Sequence, residues 1–181
     1  NSQPRSHPQF YHMTIVGGGA SGRTGELMHL NDGTGGEFSN IIMVNPTDDG
    51  VHFDKCGDET YTQILAGQTS DFLWFDQHNV ISGVAPGNKL FEATGDCPKT
   101  ITKAITTNPL LLAAHDLWSR FEYESNTGTM PLDPRPACGG SACSDVTTPT
   151  DTWFQDGGAY PTNKGALGLT NGPDGWTDVN T

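Results

Sequence analysis

Phe38-Ser39-Asn40-Ile41-Ile42-Met43-Val44 halts at Asn45-Pro46, and Val51-His52-Phe53-Asp54-Lys55-Cys56 follows Asp48-Asp49-Gly50. Apolar and β-branched residues in short runs, cut by Asn, Asp, Gly and Pro, read as strands separated by tight turns. The same punctuation extends both ways. Phe10 to Val16 and Glu26 to Leu30 precede; in the first, Met13 and Ile15 share a face with Tyr11. Thr60 to Leu65, Phe72 to Ile81, Leu90 to Thr94 and Thr100 to Thr106 follow. This predicts an all-β fold, a β-sandwich or jelly roll. No repeat with a period of about 20 to 50 residues stands out, which argues against a propeller or solenoid.

One segment departs from the strand rhythm. Asn108-Pro109 supplies a cap and a first-turn proline. Leu110, Ala114, Leu117 and Phe121 then recur at helical spacing. One short helix is expected over 109–121, its apolar stripe packed on a sheet. Residues 126–181 are rich in Gly, Pro, Thr, Asn and Asp, and are expected to form long ordered loops packed on the sheet. Together these define one secreted β domain over 1–181, a length able to bury about 70% of its unfolded surface.

The four cysteines in this composition indicate an oxidising, extracellular setting. Cys138-Gly139-Gly140-Ser141-Ala142-Cys143 closes easily on itself, so Cys138 is expected to pair with Cys143, and Cys56 with Cys97. In the chain-entropy picture the longer link contributes about 4 kcal/mol and the shorter about 2. Zinc on these thiols would need closer pairs and partner ligands. The chain opens at Asn1 with no basic-then-apolar leader, as a processed chain would.

Charge excludes some partners. The net charge is −12, while only 17% of residues are charged. Such a field repels phosphate backbones, so no nucleic-acid partner is expected, nor docking on anionic lipid. The longest apolar run, Leu110 to Ala114, is far short of the roughly 18 residues a membrane span needs.

No catalytic motif declares itself. Gly17-Gly18-Gly19-Ala20-Ser21-Gly22 has the GxGxxG form, but no apolar-striped helix follows it, so a loop is the better reading. Glu122 and Glu124 would share a strand face, as a solvated pair more naturally than as a glycosidase pair. His52 and Asp54 fall on one strand face, a placement that could hold a metal. With neither HExxH nor three ligands close in sequence, a surface or hydrogen-bonded role is expected for each of the six histidines.

Loop aromatics beside acidic residues are the remaining signal. An exposed ring covers the apolar face of a sugar while carboxylates and amides take its hydroxyls. Trp153 with Asp156, and Trp176 with Asp174, fit that description as ligand-binding residues. Asp32, Asp48, Asp49 and Asp178 lie in Asx-rich loops of the kind that supply calcium with hard oxygens. The expectation is a secreted, lectin-like, calcium-assisted carbohydrate-binding protein with a glycan or polysaccharide as partner, with binding favoured over catalysis. The competing expectations are an acid-active hydrolase with a carboxylate pair, and a secreted effector or structural protein with a protein partner.

Overall fold

The computed structural model describes residues 7–18, 25–56, 73–97, 107, 136, 140–149 and 161–166. Among these described residues, nine short strands form three parallel sheets of three. They are β1 (Gln9–Tyr11), β2 (Thr14–Val16), β3 (Met28–Asn31), β4 (Gly36–Ser39), β5 (Ile42–Val44), β6 (Val51–Asp54), β7 (Leu73–Phe75), β8 (Val80–Ser82) and β9 (Phe91–Ala93). Sheet 1 runs β1-β4-β7, sheet 2 β2-β5-β8 and sheet 3 β3-β6-β9. The chain therefore visits sheets 1, 2 and 3 in turn and repeats the circuit three times. This is a three-sided parallel solenoid of three coils.

The all-β expectation holds at this level. Two finer expectations do not. Every strand pair is parallel, whereas a sandwich or jelly roll is built from antiparallel sheets. The argument against a solenoid also fails, because the repeat exists with an irregular length. Gln9 lies beside Glu37 and Glu37 beside Trp74, steps of 28 and 37 residues. On sheet 3 the steps from Met28 to Val51 and from Val51 to Phe91 are 23 and 40.

The corners explain why single strands were expected where two occur. Phe10 to Val16 and Phe38 to Val44 each bend once, at His12 and at Asn40, whose φ angles are 56° and 55°. One left-handed residue redirects the chain from sheet 1 to sheet 2, and Asn, Asp and His are the side chains that enter this region most readily. The bend also separates Tyr11 from Ile15: Ile15 packs on the core, while Tyr11 donates to Glu37 Oε2 on the outside, 2.9 Å away. In the third coil the corner is longer, from Asp76 to Asn79. There the buried Asn79 amide replaces main-chain pairing, accepting from Ile41 N and donating to Phe38 O, each at 2.9 Å.

Inward side chains from all three sheets fill the solenoid. Phe38 and Phe75 come from sheet 1, Met43 and Ile81 from sheet 2, and Leu30, Val51 and Phe53 from sheet 3. Sheet 2 is apolar on its outer side as well. Ile42, Val44 and Val80 pack there against Ala142, since residues 140–149 and 161–166 lie over that face. Gly165 N donates to Asn40 O and Ala166 N to Thr14 Oγ1. Ser141–Cys143 forms one turn of 3-10 helix.

The Cys56–Cys97 disulfide is formed, with Cα atoms 5.0 Å apart. It ties the end of β6 to the end of β9. The expected Cys138–Cys143 link and the helix over 109–121 involve positions outside the described residues.

Two outcomes are expected of this framework. Asn79→Ala leaves the buried Ile41 N–H without its acceptor, while Phe38 O keeps the Asp76 N–H; urea denaturation should show a loss of about 1–3 kcal/mol. His12 is held below the usual imidazole range by burial, against the opposing pull of Asn163 O. The unfolded chain therefore takes up a proton that the folded chain refuses. Stability at this site falls as pH drops through about 6.5 and levels off below the folded value. His12→Asn, which copies the side chain stacked beside it in the next coil, should flatten that part of the urea midpoint profile between pH 8 and pH 5.

Candidate functional site

Strand alternation sends Met28, Leu30, Val51, Phe53, Phe91 and Ala93 into the core. It sends the residues between them to the outside of sheet 3. Register then aligns His29 with His52 and His52 with Glu92. The next outward row holds Asn31, Asp54 and Thr94, with Asn31 paired to Asp54. Parallel strands about 4.8 Å apart thus carry two rows of hydrogen-bonding groups across one flat face.

The first row is closely knit. The His29 and His52 rings stack with centroids 4.8 Å apart and planes 10° from parallel. Glu26, just before β3, reaches His29 Nδ1 at 2.7 Å. Glu92 Oε2 lies 3.9 Å from His52 Nδ1.

The second row fixes how His52 carries its proton. Thr94 Oγ1 lies 3.0 Å from Asp54 Oδ1 and 2.9 Å from His52 Nε2. An ionised carboxylate can only accept, so the single hydroxyl proton goes to Asp54. Thr94 Oγ1 must then accept from His52, which puts the neutral ring's proton on Nε2 and leaves a lone pair on Nδ1.

At the leading edge of the same face stand Asp49, Lys89 and Glu92. Asp49 Oδ1 accepts Lys89 N at 2.6 Å, and the Lys89 ammonium pairs with Glu92 Oε1. Burial pushes the Asp49 carboxyl above its ordinary range, against the Lys89 N–H and reinforced by Glu92. Lys89 pulls Glu92 below its ordinary range, aided by a hydrogen bond to Asp49. Neighbouring carboxyls driven apart in this way mark functional sites more often than random surface does.

Two other polar groupings serve the fold. Asp76, 2% exposed, takes hydroxyl donors from Ser39 and Thr147 at 2.5 Å each and the His78 N–H at 2.9 Å. Lys164, fully buried, donates from Nζ to Ser141 O at 3.0 Å. Burial holds its ammonium below the usual lysine range, opposed by Asp145 and Asp76. These groups are enclosed, and they fasten residues 140–149 and 161–166 to the coils. On sheet 1, Trp74 neighbours Tyr11 with ring centroids 6.4 Å apart, but its indole N–H is shut away from solvent.

The expected site residues do not gather in one place. Trp153, Asp156, Asp174, Trp176 and Asp178 lie outside the described residues. Asp32 is exposed just beyond the end of β3, where its N–H bonds Asp54 O. Asp48 and Asp49 precede β6, so they stand at the opposite end of sheet 3 from Asp32. Calcium, which takes six to eight oxygens, accordingly enters the functional proposal only as an ion to titrate.

Sequence reasoning placed His52 and Asp54 together on a strand face but missed Glu26, His29, Glu92 and Thr94. A signal was present. Met28-His29-Leu30-Asn31-Asp32 and Val51-His52-Phe53-Asp54-Lys55 share the order apolar, His, apolar, Asx. No protein-family model, no curated protein and no solved structure matches the chain.

The proton placement is directly testable. Long-range proton–nitrogen correlation spectra of the neutral protein should show His52 Nε2 protonated and Nδ1 bare. Thr94→Val should erase that preference without moving the far-ultraviolet dichroism; a His52 signal unchanged in the variant would break the assignment.

Proposed function

We propose that this chain is an extracellular carbohydrate-binding protein that holds an extended glycan across the outer face of sheet 3. The observation supporting this reading is the pair of outward rows, His29–His52–Glu92 and Asn31–Asp54–Thr94. They offer carboxylates, imidazoles, an amide and a hydroxyl at strand spacing, with the apolar members of the same strands turned inward. A polymer with hydroxyls at a regular repeat matches a surface that is itself regular. Hydrogen bonds to charged acceptors contribute about 1.5–3 kcal/mol each, so a few such contacts sum to useful affinity. The Cys56–Cys97 link supports an extracellular setting, because such bonds persist in oxidising compartments. Among the described residues, no helix is long and apolar enough to cross a membrane.

The hydrolase alternative has one observation in its favour, the opposed shifts of Asp49 and Glu92. The origin of those shifts weighs against it. They come from burial, from Lys89 and from each carboxyl acting on the other, the pattern of a local charge cluster and not of two carboxyls flanking a scissile bond. Binding without cleavage is the reading better supported.

The net charge of −12 selects the ligand class. Neutral polysaccharides are favoured over sulfated or uronic ones, which the field repels. On an array of both kinds, with calcium and with chelator as parallel conditions, the full chain should bind neutral glycans. His52→Ala and Glu92→Gln should each weaken binding about tenfold, or about 1.4 kcal/mol. A blank array, or variants that bind as the parent does, would defeat the proposal.

A further inference from the structure

We propose that Glu26, His29 and His52 form a binding site for a single zinc-class divalent cation. One ligand atom from each lies within 4.8 Å of the others. Two nitrogens and one carboxylate oxygen are a borderline donor set. It suits zinc and its late first-row neighbours rather than calcium or magnesium, which want oxygen alone.

The fold supplies the preorganisation. Sheet register sets His29 directly beside His52, and the stacked rings put two imidazoles at one spot on the surface. Glu26 already touches His29. Tetrahedral bonds of about 2.0–2.1 Å set donors about 3.3 Å apart, so side-chain rotation has to adjust atoms that already lie within 4.8 Å of one another. In the metal-free site His29 Nδ1 donates its hydrogen to Glu26 Oε1 2.7 Å away; a cation would displace that proton, take Nδ1 and Oε1 together and leave the ring N–H of His29 on Nε2. Its side chain is 42% exposed, so the Nε2 proton meets water and the fourth metal position opens to solvent.

A second observation points the same way. Ligating histidines ordinarily donate their other ring N–H to an acceptor that fixes the ring and its tautomer. His52 donates Nε2–H to Thr94 Oγ1, which is oriented in turn by Asp54. That arrangement leaves Nδ1 of His52 unprotonated, with Glu92 Oε2 3.9 Å away, and so able to ligate once the ring turns.

The inference stands independently of the glycan reading, since the metal is titrated with no sugar present. Zinc chloride and calcium chloride are titrated calorimetrically into the oxidised full chain at pH 7.5. One zinc per chain is expected, with calcium far weaker. Glu26→Gln and His29→Ala, both at solvent-facing positions, should each cost at least about tenfold in zinc affinity. Thr94→Val should cost about tenfold to a hundredfold, while Thr94→Ser, which keeps the hydroxyl, restores it. His7→Ala, at an exposed histidine on the first coil, should change nothing. Failure to take up one zinc, uptake unchanged in both His29→Ala and His52→Ala, or loss in His7→Ala would each overturn the proposal.

Discussion

A left-handed residue at matching places in successive coils holds the three sheets in register. Asp32, Lys55 and Gly95 end the sheet 3 strands of coils one, two and three, with φ of 53°, 50° and 62°. Asn45 and Gly83 do the same after sheet 2, and His12 and Asn40 after sheet 1. These conformations carry a cost, of order 1–3 kcal/mol for a residue such as Lys55. They persist because the strands on either side are locked by main-chain bonds. At one such corner even a methyl is excluded: a Cβ on Gly83 would sit 2.5 Å from Asn45 Oδ1. Without matched corners the outward rows would not line up, and His29 and His52 would not stack.

Much of this was legible in residue type and little in period. Alternation in Val51-His52-Phe53-Asp54 states which side chains face out, and the structure keeps that alternation. The turn residue Asn45 marks a real corner. The repeat itself is present as Phe10-Tyr11-His12-Met13, Phe38-Ser39-Asn40-Ile41 and Phe75 through Asn79. It escapes notice because the number of residues between stacked strands differs from coil to coil, and because the third copy carries extra residues at its corner. A solenoid tolerates such differences, since each coil needs only its strands to meet its neighbours. Parallel pairing was hidden for the same reason: it depends on what lies a whole coil away. The site suffered most, because Glu26, His29, His52 and Thr94 come from segments whose adjacency only coil stacking creates.

The molecule uses one palette of side chains for two purposes, and exposure separates them. Around Asp76 two hydroxyls and the His78 main-chain N–H converge on one carboxylate that is shut from solvent. Donors and acceptors are matched there, and the outer segments are fastened to the coils. On sheet 3 the same types lie in open rows, and their geometry leaves capacity to spare: His52 keeps a bare nitrogen, and the His29 side chain is 42% exposed. A buried polar group must be satisfied from within, whereas an exposed one is free to exchange its partner for something brought from outside.

The Cys56–Cys97 link also has a mechanical side. It joins positions 41 residues apart in sequence, at the shared end of the second and third coils. If the solenoid were pulled from its two ends, force would pass through the sulfur bridge and bypass the chain between. That stretch amounts to about 140 Å of extended chain at about 3.4 Å per residue. The oxidised protein therefore has a shorter reach under tension than the reduced one. Strands β7, β8 and β9 lie inside the bypassed stretch and would be shielded from the load, so an anchored molecule could stretch elsewhere while that coil stayed intact.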